Sequence, residues 1–437
     1  MKKFVSVMIF CFMMTTLLFG QNIPKSVYVV NSVANTLSYI NLETGNVALD
    51  TLSPGASSSP NFLRIHQGKG YLVNSGTNNV MVFNLENLEL DRFIPLPTGS
   101  NPWALDFIND SLFAVTFFQS DEVAIVNIHT DAIVQTIPVG TSPEGIVYAN
   151  GYIYIANSGF VSFGQPYDPG TVSVVDAATF QVVDTIAVGL NPQDLAVDSQ
   201  GRLVVACTGD WGATAAGEVD VIELQSNSIL WSKTVNSFIS GVKVNSQNKA
   251  YLATFGSGVL VLDLETQTFE IDETNPLTGG PGVAFDADDN AYICEFGDGT
   301  NAGTLRVFNS SHQLQQSYTV NVGPVFVAIY DPAFSGFEYS TPKITENFQL
   351  EANYPNPFNP ETRIPFRIQK SGYTKLEIFN ILGKPIKTLV NENLVPGNYE
   401  VVWDGTNALN QQVASGIYFY RLVQNNQVQI KKMELLR

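Results

Sequence analysis

The residue types able to do chemistry in this chain gather in three polar, glycine-rich stretches. NSGFVSFGQPYDPG covers residues 157–170, TGDWGATAAG covers 208–217 and FGDGTNAG covers 296–303. They supply Phe163, Tyr167, Trp211 and Phe296 as aromatic surface, and Asp168, Asp210 and Asp298 as carboxylates. Aromatic faces beside carboxylates suit a sugar or peptide ligand. The plainer alternative is that the aromatics pack their loops onto neighbouring structure. A second set directly follows prolines that lead apolar runs: Asn61, Trp103, Glu144, Gln193, Gly282 and Val325. A purely structural position would vary less between repeats. The set therefore marks a surface centred on Trp103, Glu144, Gln193 and Asp194, or else drift at exposed positions.

A third signal is a series that closes apolar runs: Asn31, Asn74, Thr116, Asn157, Cys207, Thr254 and Glu295. Asn and Thr at a strand end bond to nearby backbone. Glu295 puts a carboxylate in place of a small neutral group. It could ligate a metal or act as a general base, or simply pair with a cation such as Arg306. DADDN at 286–290 has the composition of a calcium loop, but other repeats carry VDSQG, VNSQN or YANG there, so it reads as a turn. His66, His129 and His312 fall on different segments and do not assemble easily into a Ser/His/Asp triad. No CxxC or His/Cys cluster occurs, which excludes a zinc site of the usual spacing.

The elements that must position these residues repeat. PEGIVYANGYIYIAN, starting at Pro143, reads as an apolar strand, a tight Asn-Gly turn and a second apolar strand. Similar pairs start at Pro60, Pro102, Pro192 and Pro281, with 42 residues from Pro60 to Pro102 and 41 from Pro102 to Pro143. Between them recur hairpins such as TVSVVDAATFQVVDTIAVG, seven in all. A period of about 40–45 residues with four strands is that of a β-propeller blade. The chain starts on a second strand, SVYVVN, and the missing first strand stands at the far end as VGPVFVAIYD, residues 322–331. The prediction is an all-β protein. A seven-bladed β-propeller spans residues 27–331, closed by the C-terminal strand pairing into the first blade so that no edge stays open. The three long loops then lie on the face around the mouth of the central channel, in the fourth, fifth and seventh blades.

Residues 1–20 read as a secretory signal peptide: Lys2 and Lys3, an apolar run over 4–19, and Gly20 before the cleavage point. Cys11 lies within the apolar run, where a lipoprotein cysteine would not. No other stretch is long enough to span a membrane. Cys207 and Cys294 are predicted as separate buried thiols. Hydrophobic residues make up 45% of the 437 and charged residues 14%, which suits a globular β-protein. The net charge of −18 makes nucleic acid an improbable partner. That charge is uneven: residues 21–347 carry ten Lys/Arg against thirty-three Asp/Glu, whereas 348–437 carry ten against seven. Either basic or metal-bridged partners meet the acidic part, or like charge keeps an exported surface soluble. Residues 332–347 break the pattern and read as a linker.

The repeat resembles the YVTN/YncE-like seven-bladed propellers, on VYVVNSVANTLSYINLETGNV at Val27, IYIANSG at Ile153 and the Gly-x-x-Pro step of VGTSPEGIVY and VGLNPQDLAV. Residues 348–437 resemble the type A C-terminal sorting domain of the type IX secretion system, on NYPNPFNPETRIPF, TKLEIFNILGKPIKTLV, PGNYEVVWDG and SGIYFYRL. The second resemblance implies an Ig-like β-sandwich, engagement of the type IX machinery, and delivery to the outer-membrane surface of a Gram-negative bacterium or to the medium. The expected function is an exported protein that binds a glycan, peptide or protein. The first alternative is a calcium-dependent hydrolase or lyase of lactonase type at the channel mouth, whose ligand set Glu295, Asn157 and Asn74 could mimic, although their recurrence from repeat to repeat is better explained structurally. The second is a structural surface-layer or adhesion component. Calcium is a possible cofactor, and none is required.

Overall fold

The computed structural model describes residues 23–211, 217–332, 348–368, 371–380, 384–409, 411–424 and 427–436. The expected signal peptide, and the expected linker beyond residue 332, lie outside the described residues. Every element among the described residues is a β-strand.

Up to residue 330 the strands form seven four-stranded antiparallel sheets. The first combines Pro324–Tyr330 with Ser26–Asn31, Thr36–Asn41 and Val47–Leu52. The C-terminal strand thus pairs with the N-terminal one, with Ala328 opposite Tyr28 and Val327 opposite Val29. The other six sheets are consecutive in sequence and open on Pro60–His66, Pro102–Asn109, Pro143–Ala149, Pro192–Val197, Ile239–Val244 and Val283–Phe285. Asn150 and Gly151 in the fourth sheet both take positive φ, 52° and 87°. That backbone lets a two-residue turn follow the twist of its flanking strands.

Second strands such as Ser26–Asn31 are buried along their whole length, whereas outer strands such as Gln181–Ala187 are mostly exposed. The cause is packing on both faces. Each sheet shares an apolar layer with the next: Tyr71 and Val73 of the second meet Leu105 and Phe113 of the third, and Tyr154 of the fourth meets Leu203 of the fifth. The seventh and first share such a layer too, where Tyr292 and Leu305 pack with Val27 and Ile40. Lys25 adds a polar tie there, 3.3 Å from Asp286 and 3.1 Å from Asp331. The opening strands of neighbouring sheets touch in turn, Pro324–Tyr330 against Pro60–His66 among them.

Residues 348–436 form two further antiparallel sheets. Phe348–Leu350, Thr362–Ile368 and Gly397–Trp403 make one. Pro385–Leu394, Gly372–Asn380, Gly416–Gln424 and Gln427–Leu435 make the other. They share one core built from Ile364, Phe366 and Trp403 on one side and Leu376, Tyr420, Leu422 and Met433 on the other. Strict alternation in Thr362–Ile368 places Ile364, Phe366 and Ile368 inward.

Candidate functional site

Six of the seven opening strands reach the centre in the same way. Asn61, Trp103, Glu144, Gln193, Ser240 and Val325 are each the second residue of such a strand. Together with Gly282, just before the seventh, they line one cavity of about 330 Å³. Proline tolerates the first strand position because it has no N–H to leave unpaired there. The pairing register then slips at this point, between Pro60 and Phe62, Pro102 and Leu105, Pro143 and Ile146, Pro192 and Asp194, and Ile239 and Gly241. A bulge of this kind re-aims the side chain that follows it. Gly145 keeps the strands close: a Cβ there would stand 2.8 Å from the Cα of Asp194.

Glu144 is 4% exposed. Burial pushes its carboxyl up to about 8, the charge of Asp194 adds to the rise, and the Ser158 hydroxyl opposes it. Asp194 is held differently. Its Oδ2 accepts from Lys243 Nζ at 2.6 Å and from the Val242 amide at 3.0 Å. Asn61 donates through Nδ2 to the Trp103 carbonyl at 2.7 Å. Its Oδ1, and the Ser240 hydroxyl, are buried with no hydrogen-bond partner.

Aromatic rings continue from the cavity onto the loop face. Trp103 stacks on Phe118 at 5.5 Å, Phe118 on Phe160 at 5.9 Å, and Phe160 meets the edges of Phe163 and Tyr167. A second group joins Trp211 to Phe238 at 4.6 Å and to Phe255 at 4.7 Å, and Phe255 also lines the cavity. Phe163 is 95% exposed and Trp211 45%. The Tyr167 hydroxyl is pushed up by burial and by the charges of Glu144 and Asp210. The loop after the second strand of the fourth sheet and residues 208–211 after that of the fifth therefore lean toward the same mouth.

The remaining carboxylates serve their own neighbourhoods. Asp168 accepts from the Thr141 hydroxyl at 2.8 Å, and its amide bonds Gly159 O at 2.7 Å, closing the base of its loop. Asp298 caps its own turn through the amides of Thr300 and Asn301 and does not line the cavity. Glu295 forms a two-nitrogen pair with Arg306, at 3.0 and 2.7 Å, which was the structural alternative for it. Asp286 accepts from the amides of Asp288 and Asn290, as a turn requires. In the strand-end series, Thr116 and Thr254 bond backbone carbonyls. Asn31 donates to the Val29 and Thr36 carbonyls and to the Ser38 hydroxyl, and Asn157 accepts from the Gly140 amide and donates to the Ser173 hydroxyl. Among the described residues no three His, Cys, Asp or Glu side chains are grouped so that they could hold a metal. Cys207 and Cys294 are buried free thiols. His66 is buried against Phe107, while His129 and His312 sit beside Ser111 and Glu270.

Sequence reasoning missed Ser240, because Ile239 replaces the proline that flags the other strands. It also missed Phe118, Phe160, Phe238 and Phe255, which lie at loop edges and acquire a role only by stacking across sheets.

Residues 352–435 match the family model of the secretion system C-terminal sorting domain. The chain thus carries a signal for export through the type IX machinery, to the cell surface or the medium in Bacteroidetes. About two thirds of the structure is similar to a Kuenenia stuttgartiensis hydrazine synthase, at 15% identity and a TM-score of 0.53, over 64% of this chain and 97% of that one. It is also similar to a quinoprotein alcohol dehydrogenase-like protein of Bacteroides thetaiotaomicron, at 13% identity and a TM-score of 0.52, over 70% of this chain and 78% of that one. At such identity the likeness is one of fold, and it makes the N-terminal part propeller-like. No curated protein matches this sequence.

Proposed function

We propose that this chain is an exported binding protein that receives its ligand at the mouth of the central cavity of a closed, YncE-like seven-bladed propeller. The propeller covers residues 27–331. A signal peptide (1–20) precedes it, and a linker (332–347) joins it to an Ig-like sorting domain (348–437). The cyclic sharing of apolar layers and the pairing of Val327 with Val29 support closure.

One observation carries the binding reading. A repeated fold presents a different side chain from each repeat to one cavity: Asn61, Trp103, Glu144, Gln193, Ser240, Gly282 and Val325. Packing alone would favour the same residue in each. The exposed rings of Phe163 and Trp211 extend that surface outward, while Tyr167, Asp168 and Asp210 shape the loops that carry it. Glu295 and Asp298 fall outside the site in this reading, because their carboxylates are committed to Arg306 and to a local turn.

The test is a thermal-shift screen of the purified full chain against oligosaccharide and peptide libraries. A compound should raise the melting temperature of the wild type and not of Trp103→Ala. Stabilisation that survives changes at Trp103, Glu144 and Gln193 would place the ligand elsewhere and refute the reading.

A further inference from the structure

We infer that the cavity takes a neutral sugar residue, the end of a glycan chain, with its ring against Trp103 and its hydroxyls on Glu144, Gln193, Asn61 and Ser240. This rests on the reading of the cavity as the ligand site.

Size comes first. At about 330 Å³ the cavity lies at the small end of ligand pockets, which run from about 300 to 1,000 Å³. It fits a one- or two-ring ligand and not a folded peptide. Beside the Asp194–Lys243 pair, its walls offer apolar surface, including the rings of Trp103 and Phe255, and the hydrogen-bonding groups of Asn61, Gln193 and Ser240, and a pyranose carries both an apolar face and a ring of hydroxyls. The orphaned Asn61 Oδ1 and Ser240 Oγ are an acceptor and a hydroxyl left buried without partners. Such groups are costly unless something bonds them. Ligand hydroxyls, which both donate and accept, suit the two.

Charge narrows the class further. Among the described residues lining the cavity the only cation is Lys243, and Asp194 already holds it at 2.6 Å. A uronate or a phosphorylated sugar would find no unpaired cation. Burial raises the Glu144 carboxyl to about 8, which favours its protonated form at neutral pH and leaves a cationic ligand little unpaired anionic charge. The groups that bear on Glu144 are Asp194 from the next opening strand with its partner Lys243, the Ser158 hydroxyl, and Tyr167 from the loop above. Asp210 bears on Tyr167 in turn. None of these is a free cation that would hold Glu144 ionised. A ligand hydroxyl that accepts from the protonated Glu144 carboxyl loses that donor once the carboxyl ionises, so binding weakens as the pH passes the point of ionisation.

The experiment uses the purified full chain on a glycan array of neutral and uronate-containing oligosaccharides, followed by calorimetry of the neutral hits. Trp103→Ala should weaken a neutral hit by about tenfold or more, the scale of one lost stacking or hydrogen-bonding contact. Wild-type affinity should fall by a similar factor between about pH 6 and about pH 9.5, while Glu144→Gln binds alike at both. Gln193→Ala, at a half-buried position, provides the same test should Trp103→Ala fail to fold. Binding of uronates alone, or no neutral hit, overturns the sugar assignment. If a uronate or a peptide binds and Trp103→Ala abolishes it, the cavity still stands as the ligand site. A hit insensitive to Trp103, Glu144 and Gln193 overturns both. A neutral hit with no pH difference between wild type and Glu144→Gln overturns the role given to Glu144.

Discussion

Replacing Glu144 by Gln should make the protein more stable, and more so as the pH rises. The native carboxyl is raised from an ordinary 4.5 to about 8, with burial as the leading cause. The native state therefore keeps a proton that the unfolded chain gives up above 4.5. Between these two values the native state binds more protons, and stability falls as the pH rises. The penalty is absent below pH 4.5 and complete above about 8. At about 1.4 kcal/mol per pH unit it accumulates to about 5 kcal/mol, which is an upper bound because water reaching the ionised group screens it. Gln keeps the shape and a donor and has no such titration. Urea unfolding of wild type and variant, followed by tryptophan fluorescence, should give nearly equal stabilities near pH 4.5. A gap of about 2–5 kcal/mol in favour of the variant should open by pH 9. The comparison is differential, so other titrating groups cancel. Parallel pH profiles would show that Glu144 is solvated as an ordinary carboxylate, and the account of the cavity as a site without unpaired charge would fail with them.

Other perturbations test the scaffold. Ile329→Ala should cost about 2–5 kcal/mol, as much as a buried isoleucine in mid-chain, because its strand closes the first sheet against Ser26–Asn31; a loss of a few tenths would indicate a frayed terminus. Ending the chain before Phe348 should leave it in the periplasm of its native host when cells are fractionated, and normal export would contradict the sorting role. Glu295→Gln should cost less than about 1 kcal/mol, since its pair with Arg306 is partly exposed. Added calcium should then shift the melting temperature equally with and without Glu295; a shift that needs Glu295 would give it a metal role.

The architecture was legible because it is written many times. Pro143 and the Asn150-Gly151 turn recur in altered spelling, and hydrophobic alternation repeats with them, so each copy reinforces the others. The displaced first strand could be placed at residues 322–331 by counting, since an unpaired Ser26–Asn31 edge would be unstable. The cavity was half legible. Residues after the prolines stood out, and the structure brings Trp103, Glu144, Gln193 and Asp194 together. Ser240 was hidden by Ile239, and Lys243 by its distance from any such marker. Asp298 and Glu295 looked available because sequence does not show which neighbour a carboxylate has already engaged. The aromatic rim was least legible: Phe118 and Phe160, or Phe238 and Phe255, meet only because neighbouring sheets bring their loop ends together.

The most direct measurement is a crystal structure of the full chain soaked with a neutral oligosaccharide selected on the array. A sugar ring lying against Trp103, with hydroxyls on Glu144 and Gln193, is the predicted result. Sugar density confined to the outer strands or to the sorting domain, with the cavity unchanged, would contradict the central claim.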